Sequence, residues 1–253
     1  MFDNITNSCH YLLNHFPEAK EVKDYLDDRL SISSQSKFLF GYYPSLDKIN
    51  ILIELVGKEA LEHTKLLFSK DIEDSLSART IVSSYFEDYP LVMPFRDAHG
   101  NILALVGRTL LSEQDRLSKK IPKYKNTTPF KKGKAIFGLY ECKESIIKNN
   151  CVYIVEGQFD AIKAMEIGLS NVVAIGTNSM TAYQFALITR YTDNLILVLD
   201  NDEAGKKGRQ SLLKKYNKLA NIKNLYVPEP YKDIDEYISN EKITNINQLF
   251  LKD

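Results

Sequence analysis

The chain has 253 residues, with 33 Lys+Arg against 33 Asp+Glu and a formal net charge of zero. Hydrophobic residues at 44% and charged residues at 26% fit one large or two modest globular domains and exclude a largely disordered chain. Three cysteines without a C-x2-C pair exclude a disulfide scaffold and a Cys-only zinc site, and the neutral balance excludes a uniformly basic coat for nucleic acid.

No run approaches the roughly 18 apolar residues of a membrane span, and residues 1–10 lack the shape of a signal peptide. With the sparse cysteines this points to the cytoplasm. Residues 19–30 place Val22, Tyr25, Leu26 and Leu30 on one helical face. Residues 49–56 form an apolar run compatible with helix or strand, and 59–68 read as helix. The apolar runs 91–95 and 102–106 flank the glycine-bearing turn Asp97-Ala98-His99-Gly100-Asn101 and predict a β-hairpin. Residues 116–134 are rich in Lys and Arg and hold no acid. A solvated loop is the plain reading of such a run. Tyr124 and Phe130, on which bases can stack, together with Pro122, Pro129 and Gly133, point instead to a groove that tracks phosphates.

The style changes near Asn149-Asn150. Residues 1–148 read as a basic, mixed α+β subdomain, 149–230 as an α/β domain, and 231–253 as a C-terminal helical segment. In the α/β part, 151–155, 172–175, 195–199 and 225–227 read as short strands. They alternate with helices over 158–167, 182–191 (N-cap Thr181) and 204–219. Apolar strands alternating with helices predict a mostly parallel sheet covered on both faces, with all strand C-terminal ends on one edge.

Acids fall at those ends. Glu156 follows the first strand directly, with Asp160 a helical turn later, and Asp200 and Asp202 follow the third. Asp233 and Asp235 come after the fourth and a short proline-containing loop. Residues two apart in an extended segment point the same way, so Asp200 and Asp202 can act together. Clustered carboxylates call for a cation, and oxygen ligands without nearby His or Cys select Mg2+ or Mn2+ over zinc. Such ions bind substrate phosphates, which points to phosphoryl or nucleotidyl transfer. A D-x-D alone is commonplace, and each acid alone reads as a helix cap or surface residue. A Glu and a D-x-D, each directly after a buried strand of one sheet, is a far rarer arrangement. Gly157, Gly176-Thr177 and Gly205 add tight turns at the same ends. The G-x4-G-K-[ST], H-E-x-x-H and G-x-S-x-G motifs are all missing, and His10, His15, His63 and His99 lie outside the acidic part.

Glu156-Gly157-Gln158-Phe159-Asp160, Gly176-Thr177 and Asp200-Asn201-Asp202-Glu203-Ala204-Gly205 resemble the E-G-x-x-D, G-T and D-x-D-x-A-G motifs of Toprim domains. Upstream, Pro94-Phe95-Arg96-Asp97 with Gly100 and Val106-Gly107-Arg108 is similar to the P-[IF]-R-D-x-x-G…G-G-R stretch of the bacterial, DnaG-type primase catalytic core. Pro122-Lys123-Tyr124-Lys125-Asn126, Lys132-Gly133…Phe137-Gly138-Leu139 and FLFGYYP at 38–44 match further elements of that family, in order, from about Ala19 to Ile238.

The resemblance implies a metal-dependent, DNA-directed RNA polymerase, a nucleotidyltransferase that makes RNA primers on a single-stranded DNA template from NTPs. It implies that Glu156, Asp200 and Asp202 are catalytic and hold Mg2+ or Mn2+, with Asp160, Asp233 and Asp235 completing the metal site. Arg108, Lys123 and Lys132, with Lys125, Tyr124 and Arg29, would meet nucleotide or template. Asp233-Ile234-Asp235 stands where the family has Asp-Pro-Asp, a departure that bears on the shape of that loop. The chain has no cysteine set for the family's zinc-binding module and no room after Asp253 for its helicase-binding region. That leaves three readings: a compact, phage- or plasmid-type primase; a zinc module (and replicative helicase) acting in trans; or a core that has lost priming. A Toprim-type nuclease or other phosphotransferase would explain the acids but not the matched basic half. A non-catalytic single-strand-binding replisome module would explain the reverse.

Overall fold

The computed structural model describes residues 1–74, 77–177 and 179–249, which fall into two units: 1–95 with 102–130, and 96–101 with 131–253. In the first unit, α1 (Phe2–His15) buries Ile5, Cys9, Leu12 and Leu13, one stripe at helical spacing. α2 (Lys20–Asp27) buries Val22 and Leu26 as expected, and Leu30 is buried just beyond its end. α3 (Ile32–Lys37), capped by Ser31, leads into β1 (Gly41–Tyr42), which lies under α1. A Cβ at Gly41 would stand 2.6 Å from the Cys9 Cβ, so the FLFGYYP glycine serves this helix–strand approach.

The apolar run at 49–56 is a helix, α4 (Ile49–Val56), which buries Ile49 and Leu52. The next helix is shorter than its apolar pattern: α5 (Lys58–His63) stops early, and Leu67 already opens β2 (Leu67–Asp74). Lys65, at φ 58°, makes the break. β2 pairs antiparallel with β3 (Ser77–Ser84), apart from the main sheet. The hairpin strands are β4 (Leu91–Arg96) and β5 (Ile102–Arg108), in a sheet of order β1-β4-β5-β6. The basic run is not one loop. It begins in α6 (Glu113–Lys119), turns at Lys120 in the left-handed region, and supplies β6 (Tyr124–Asn126), antiparallel to β5.

The second unit opens with a turn of 3-10 helix, Lys132–Lys134, and α7 (Leu139–Asn149). Then follow β7 (Val152–Val155), α8 (Gln158–Glu166), β8 (Val172–Ala174), α9 (Ala182–Ile188), β9 (Asn194–Leu197), α10 (Glu203–Tyr216) and β10 (Asn221–Asn224). Thr181 caps α9 through a capping box with Gln184. The four strands are all parallel, in the order β10-β9-β7-β8. Val152, Ile154, Val173, Ile175, Leu195 and Leu197 form a core with side chains of α7, α9 and α10. Val155, Val172 and Ala174 alternate to the other face, also fully buried, where α8 packs on β7 and β8. The fourth strand lies at 221–224, not 225–227. As an edge strand it alternates between exposed and half-buried residues and has no apolar run to announce it; only Leu225 continues its ladder, donating to Leu197 O. α11 (Ile234–Asn240) and α12 (Ile246–Leu249) complete the unit; residues 250–253 of the C-terminal segment lie outside the described residues.

Candidate metal centre and cationic cluster

The strand order places the acids. β7 pairs with β8 on one side and β9 on the other, so the order reverses between β7 and β9, the crevice where open α/β sheets bind ligands. Glu156 leaves β7 there and Asp200 follows β9, and the Asp200 N–H donates to Glu156 Oε1 at 3.2 Å. Asp202 caps α10, with Oδ1 accepting from Gly205 N–H at 2.9 Å. A Cβ at Gly205 would lie 2.1 Å from Asp200 O and 3.0 Å from Glu156 Oε1, so only glycine lets the helix start against the strand end. Asn201, between the two acids, donates from Nδ2 to Val227 O (2.8 Å) and Tyr231 O (2.9 Å), and its N–H donates to Lys232 O (2.7 Å). This grip lays Lys232 across the pair, with Nζ 3.5 Å from Asp200 Oδ2 and 3.6 Å from Asp202 Oδ2.

Asp160, Asp233 and Asp235 form an adjoining group. Asp160 accepts from Gly157 N–H (2.9 Å) through Oδ2 and from Asp235 N–H (3.4 Å) through Oδ1. Asp233 caps α11 by accepting from Glu236 N–H at 2.8 Å. Ile234 thereby occupies the first helical position, one that proline also tolerates, so the departure from Asp-Pro-Asp leaves a helix start in place.

Burial and mutual repulsion shape the protonation of these acids. Burial, then the Asp200 and Asp202 charges, push Glu156 up to about 7. Burial and the Asp233, Asp200 and Asp235 charges raise Asp160 well above the carboxylate range. Asp200 is raised by burial, against the pull of Lys232, while the Gly205 hydrogen bond lowers half-buried Asp202. Burial opposes the Lys232 charge, but Asp200, Asp202 and Asp233 outweigh it and raise its pKa.

Glu156 and Asp200, held above their ordinary range, with Asp202 and one lysine beside them, form an oxygen-only donor set suited to a hard divalent cation. Among the described residues, no three His, Cys, Asp or Glu side chains converge into a ready-made cage. The bonds explain why: one oxygen each of Glu156 and Asp202 is committed to a backbone N–H, and Lys232 covers the other Asp202 oxygen and one of Asp200. A Mg-type ion that keeps waters and takes substrate phosphates needs few protein oxygens, and Glu156, Asp200 and Asp202 fit that demand.

In the first unit, four of the six residues expected to bind nucleotide or template come together around a tyrosine that the sequence placed only on a helix face. The Arg29 and Arg108 guanidinium carbons lie 5.5 and 5.1 Å from the Tyr25 ring centre. Arg108 also lies 5.2 Å from the Tyr124 ring and donates to its hydroxyl, and Lys123 Nζ is 5.8 Å from that ring. The result is a ladder of alternating cations and rings, Arg29-Tyr25-Arg108-Tyr124-Lys123. Lys125 points elsewhere: its ammonium lies 4.0 Å from the Tyr85 ring centre and donates to Tyr85 O at 2.7 Å, and burial lowers its pKa. Phe130 packs on Phe95, 5.1 Å between ring centres. Lys132 belongs to the second unit, where its stem passes Gly176; its pKa too is lowered by burial.

Sequence reasoning missed four residues that hold the site. Asn201 and Lys232 are two. Arg209, 3% exposed, donates to Leu199 O (2.5 Å) and Asp200 O (2.9 Å), fixing the chain that carries the D-x-D. Gln184, fully buried, donates to Ala135 O (2.8 Å), Ile175 O (2.9 Å) and Lys132 O (3.3 Å), tying the Lys-Gly-Lys turn to the end of β8. The N-cap at Thr181 was legible in the sequence; the tertiary bonds of Gln184 were not.

Comparison with known proteins gives this geometry a family. The profile described as "DNA primase catalytic core, N-terminal domain" matches residues 10–143, just over half of the chain. The chain belongs to this family. A Toprim-like profile matches residues 153–238, the segment holding all six acids. The DNA primase of Aquifex aeolicus is 30% identical over 238 residues, covering 91% of this chain and 44% of its own length. The crystal structure of the A. aeolicus primase zinc-binding and RNA polymerase domains superimposes with a TM-score of 0.77 at 28% identity, over 98% of this chain and 58% of that one. A DnaG primase catalytic domain bound to single-stranded DNA shares the fold, with a TM-score of 0.73 at 24% identity, over 94% of this chain and 75% of that one. This primase core thus spans less than half of the Aquifex enzyme. Membership implies use of a divalent metal. Among the described residues, no helix is long and apolar enough to cross a membrane.

Proposed function

We propose that this chain is the catalytic core of a DNA-directed RNA polymerase of primase type, a nucleotidyltransferase that makes RNA primers on single-stranded DNA from NTPs in a bacterial cytoplasm. The observation that carries the reading is the tie between Glu156 and Asp200 at the sheet's switch point, which makes one oxygen-only site of two strand ends. Glu156, Asp200 and Asp202 hold Mg2+ or Mn2+, and Asp160, Asp233 and Asp235 support them. When bound, the metal supplies charge neutralisation at the α-phosphate and the departing pyrophosphate. Arg29, Arg108, Lys123 and Tyr124 hold template or nucleotide, Lys125 secures β6 through its bond to Tyr85 O, and Lys132 meets phosphate beside Gly176. In functional terms residues 1–148 handle nucleic acid, 149–230 carry the metal, and 231–253 add the third acidic pair. The relative solved with single-stranded DNA supports the template, and the zinc-binding domain of the Aquifex structure supports a zinc module as partner; a replicative helicase is the further partner this reading carries.

The test is nucleotide incorporation on a single-stranded template with Mg2+ or Mn2+, comparing wild type with Asp200→Asn. Metal-dependent oligoribonucleotides that vanish in the variant, a drop of about 1000-fold or more, are expected. No product even from a pre-annealed primer with Mn2+ would overturn the reading, and degradation of the template would favour a nuclease.

A further inference from the structure

The Asp200–Asp202 pair already has a cation, and it belongs to the chain. Lys232 is 57% exposed, yet Nζ sits within 3.6 Å of both Oδ2 atoms. The backbone brings it there. Asn201 holds Val227 O, Tyr231 O and Lys232 O, and the Lys232 N–H donates to Glu236 Oε2 at 2.7 Å, so the backbone of the residue is anchored on both sides while its side chain is bound only by ion pairs among the described contacts. On Asp202 it covers Oδ2, the oxygen opposite the one that accepts from Gly205 N–H.

We propose that Lys232 is an exchangeable countercation of the D-x-D, displaced when a divalent metal enters and kept within reach by the Asn201 anchor. The inference rests on the metal-site reading above. Metal entry then becomes a swap of one cation for another, so the carboxylates are never left facing each other uncompensated. Released from them, the tethered ammonium is available to the phosphates that arrive with the metal.

Lysine acylation followed by mass spectrometry reads the swap without activity. In the intact chain, Lys232 should be labelled slowly without metal and about three- to tenfold faster in saturating Mg2+, while surface Lys20 keeps one rate. Calorimetric Mg2+ or Mn2+ titration should show Lys232→Gln binding about three- to tenfold tighter than wild type, and Lys232→Arg no tighter than wild type. Both variants change an exposed side chain and keep the backbone anchors. Metal binding that leaves Lys232 labelling unchanged, or Lys232→Arg binding as tightly as Lys232→Gln, would overturn the exchange alone. Absence of metal binding at millimolar concentration would sink the metal-site reading and this inference with it.

Discussion

The two charged regions of the primase core are solved in opposite ways. In the first unit, cations are held by uncharged groups: Arg29, Arg108 and Lys123 stand against tyrosine rings, and Lys125 against a ring and a carbonyl. In the second, six carboxylates crowd one sheet edge with one lysine among them, and three are pushed upward in pKa. The contrast lies in what each can accept. Rings and carbonyls hold a cation in place without neutralising it, so the ladder keeps its positive field for phosphates. The carboxylates hold an electrostatic debt that a divalent ion settles.

The largest break in this comparison is expected from Arg209→Met. The substitution keeps the volume but strips Leu199 O and Asp200 O of their buried donor, at a cost of about 2–4 kcal/mol in urea unfolding. Weaker metal binding should accompany it, because Asp200 loses its fixed backbone. A loss within 0.5 kcal/mol would mean that the strand end is held by the sheet alone.

Next comes pH. Without metal, folded Glu156 keeps its proton to about pH 7, whereas the unfolded chain releases it near the ordinary 4.5. Between those values the native state binds more protons, so stability falls as pH rises. Because Glu156 is half exposed, the discounted size is about 1–2 kcal/mol. Glu156→Gln should recover that amount at pH 8 and leave only the shallower slope due to Asp160 and Asp200, and saturating Mg2+ should stabilise wild type more at pH 8 than at pH 5. Denaturant midpoints that rise with pH in metal-free wild type would contradict the sign.

Much of this was legible in advance, for a physical reason. Buried parallel strands are apolar on both faces, so β7, β8 and β9 announced themselves, and the acids after β7 and β9 marked the sheet edge that carries the candidate site. The edge strand β10 hid because one-sided burial needs no apolar run. Leu67 and Phe68 deceived because an apolar pair reads equally as helix end or strand start. Arg209, Gln184, Asn201 and Lys232 were invisible because their partners are mainly backbone carbonyls and carboxylates of other elements and loops, set by tertiary structure rather than by a recognisable spacing. Tyr25 looked like one more apolar position on α2; only the fold revealed that Arg29 and Arg108 meet on its ring.

Among the cations, Tyr25→Leu should matter at about 1 kcal/mol of stability, since it removes the ring shared by two guanidiniums. Thermal denaturation reads the loss, and an unchanged midpoint would make the ladder a coincidence of packing.

The finest distinction separates two lysines of one motif. Lys123 touches the outer rung of the ladder, whereas Lys125 is bound to Tyr85. Lys–phosphate contact releases a counterion and shows in the salt dependence of binding; a lysine spent on a carbonyl does not. Lys123→Ala should therefore lower the slope of log K against log salt on single-stranded DNA by about 0.7, the share of one phosphate contact. Lys125→Ala should leave the slope alone and instead soften the packing around Tyr85, read as a small loss of thermal stability. Equal slope changes in both variants would place Lys125 on phosphate and return the motif to the undivided basic stretch that its sequence suggests.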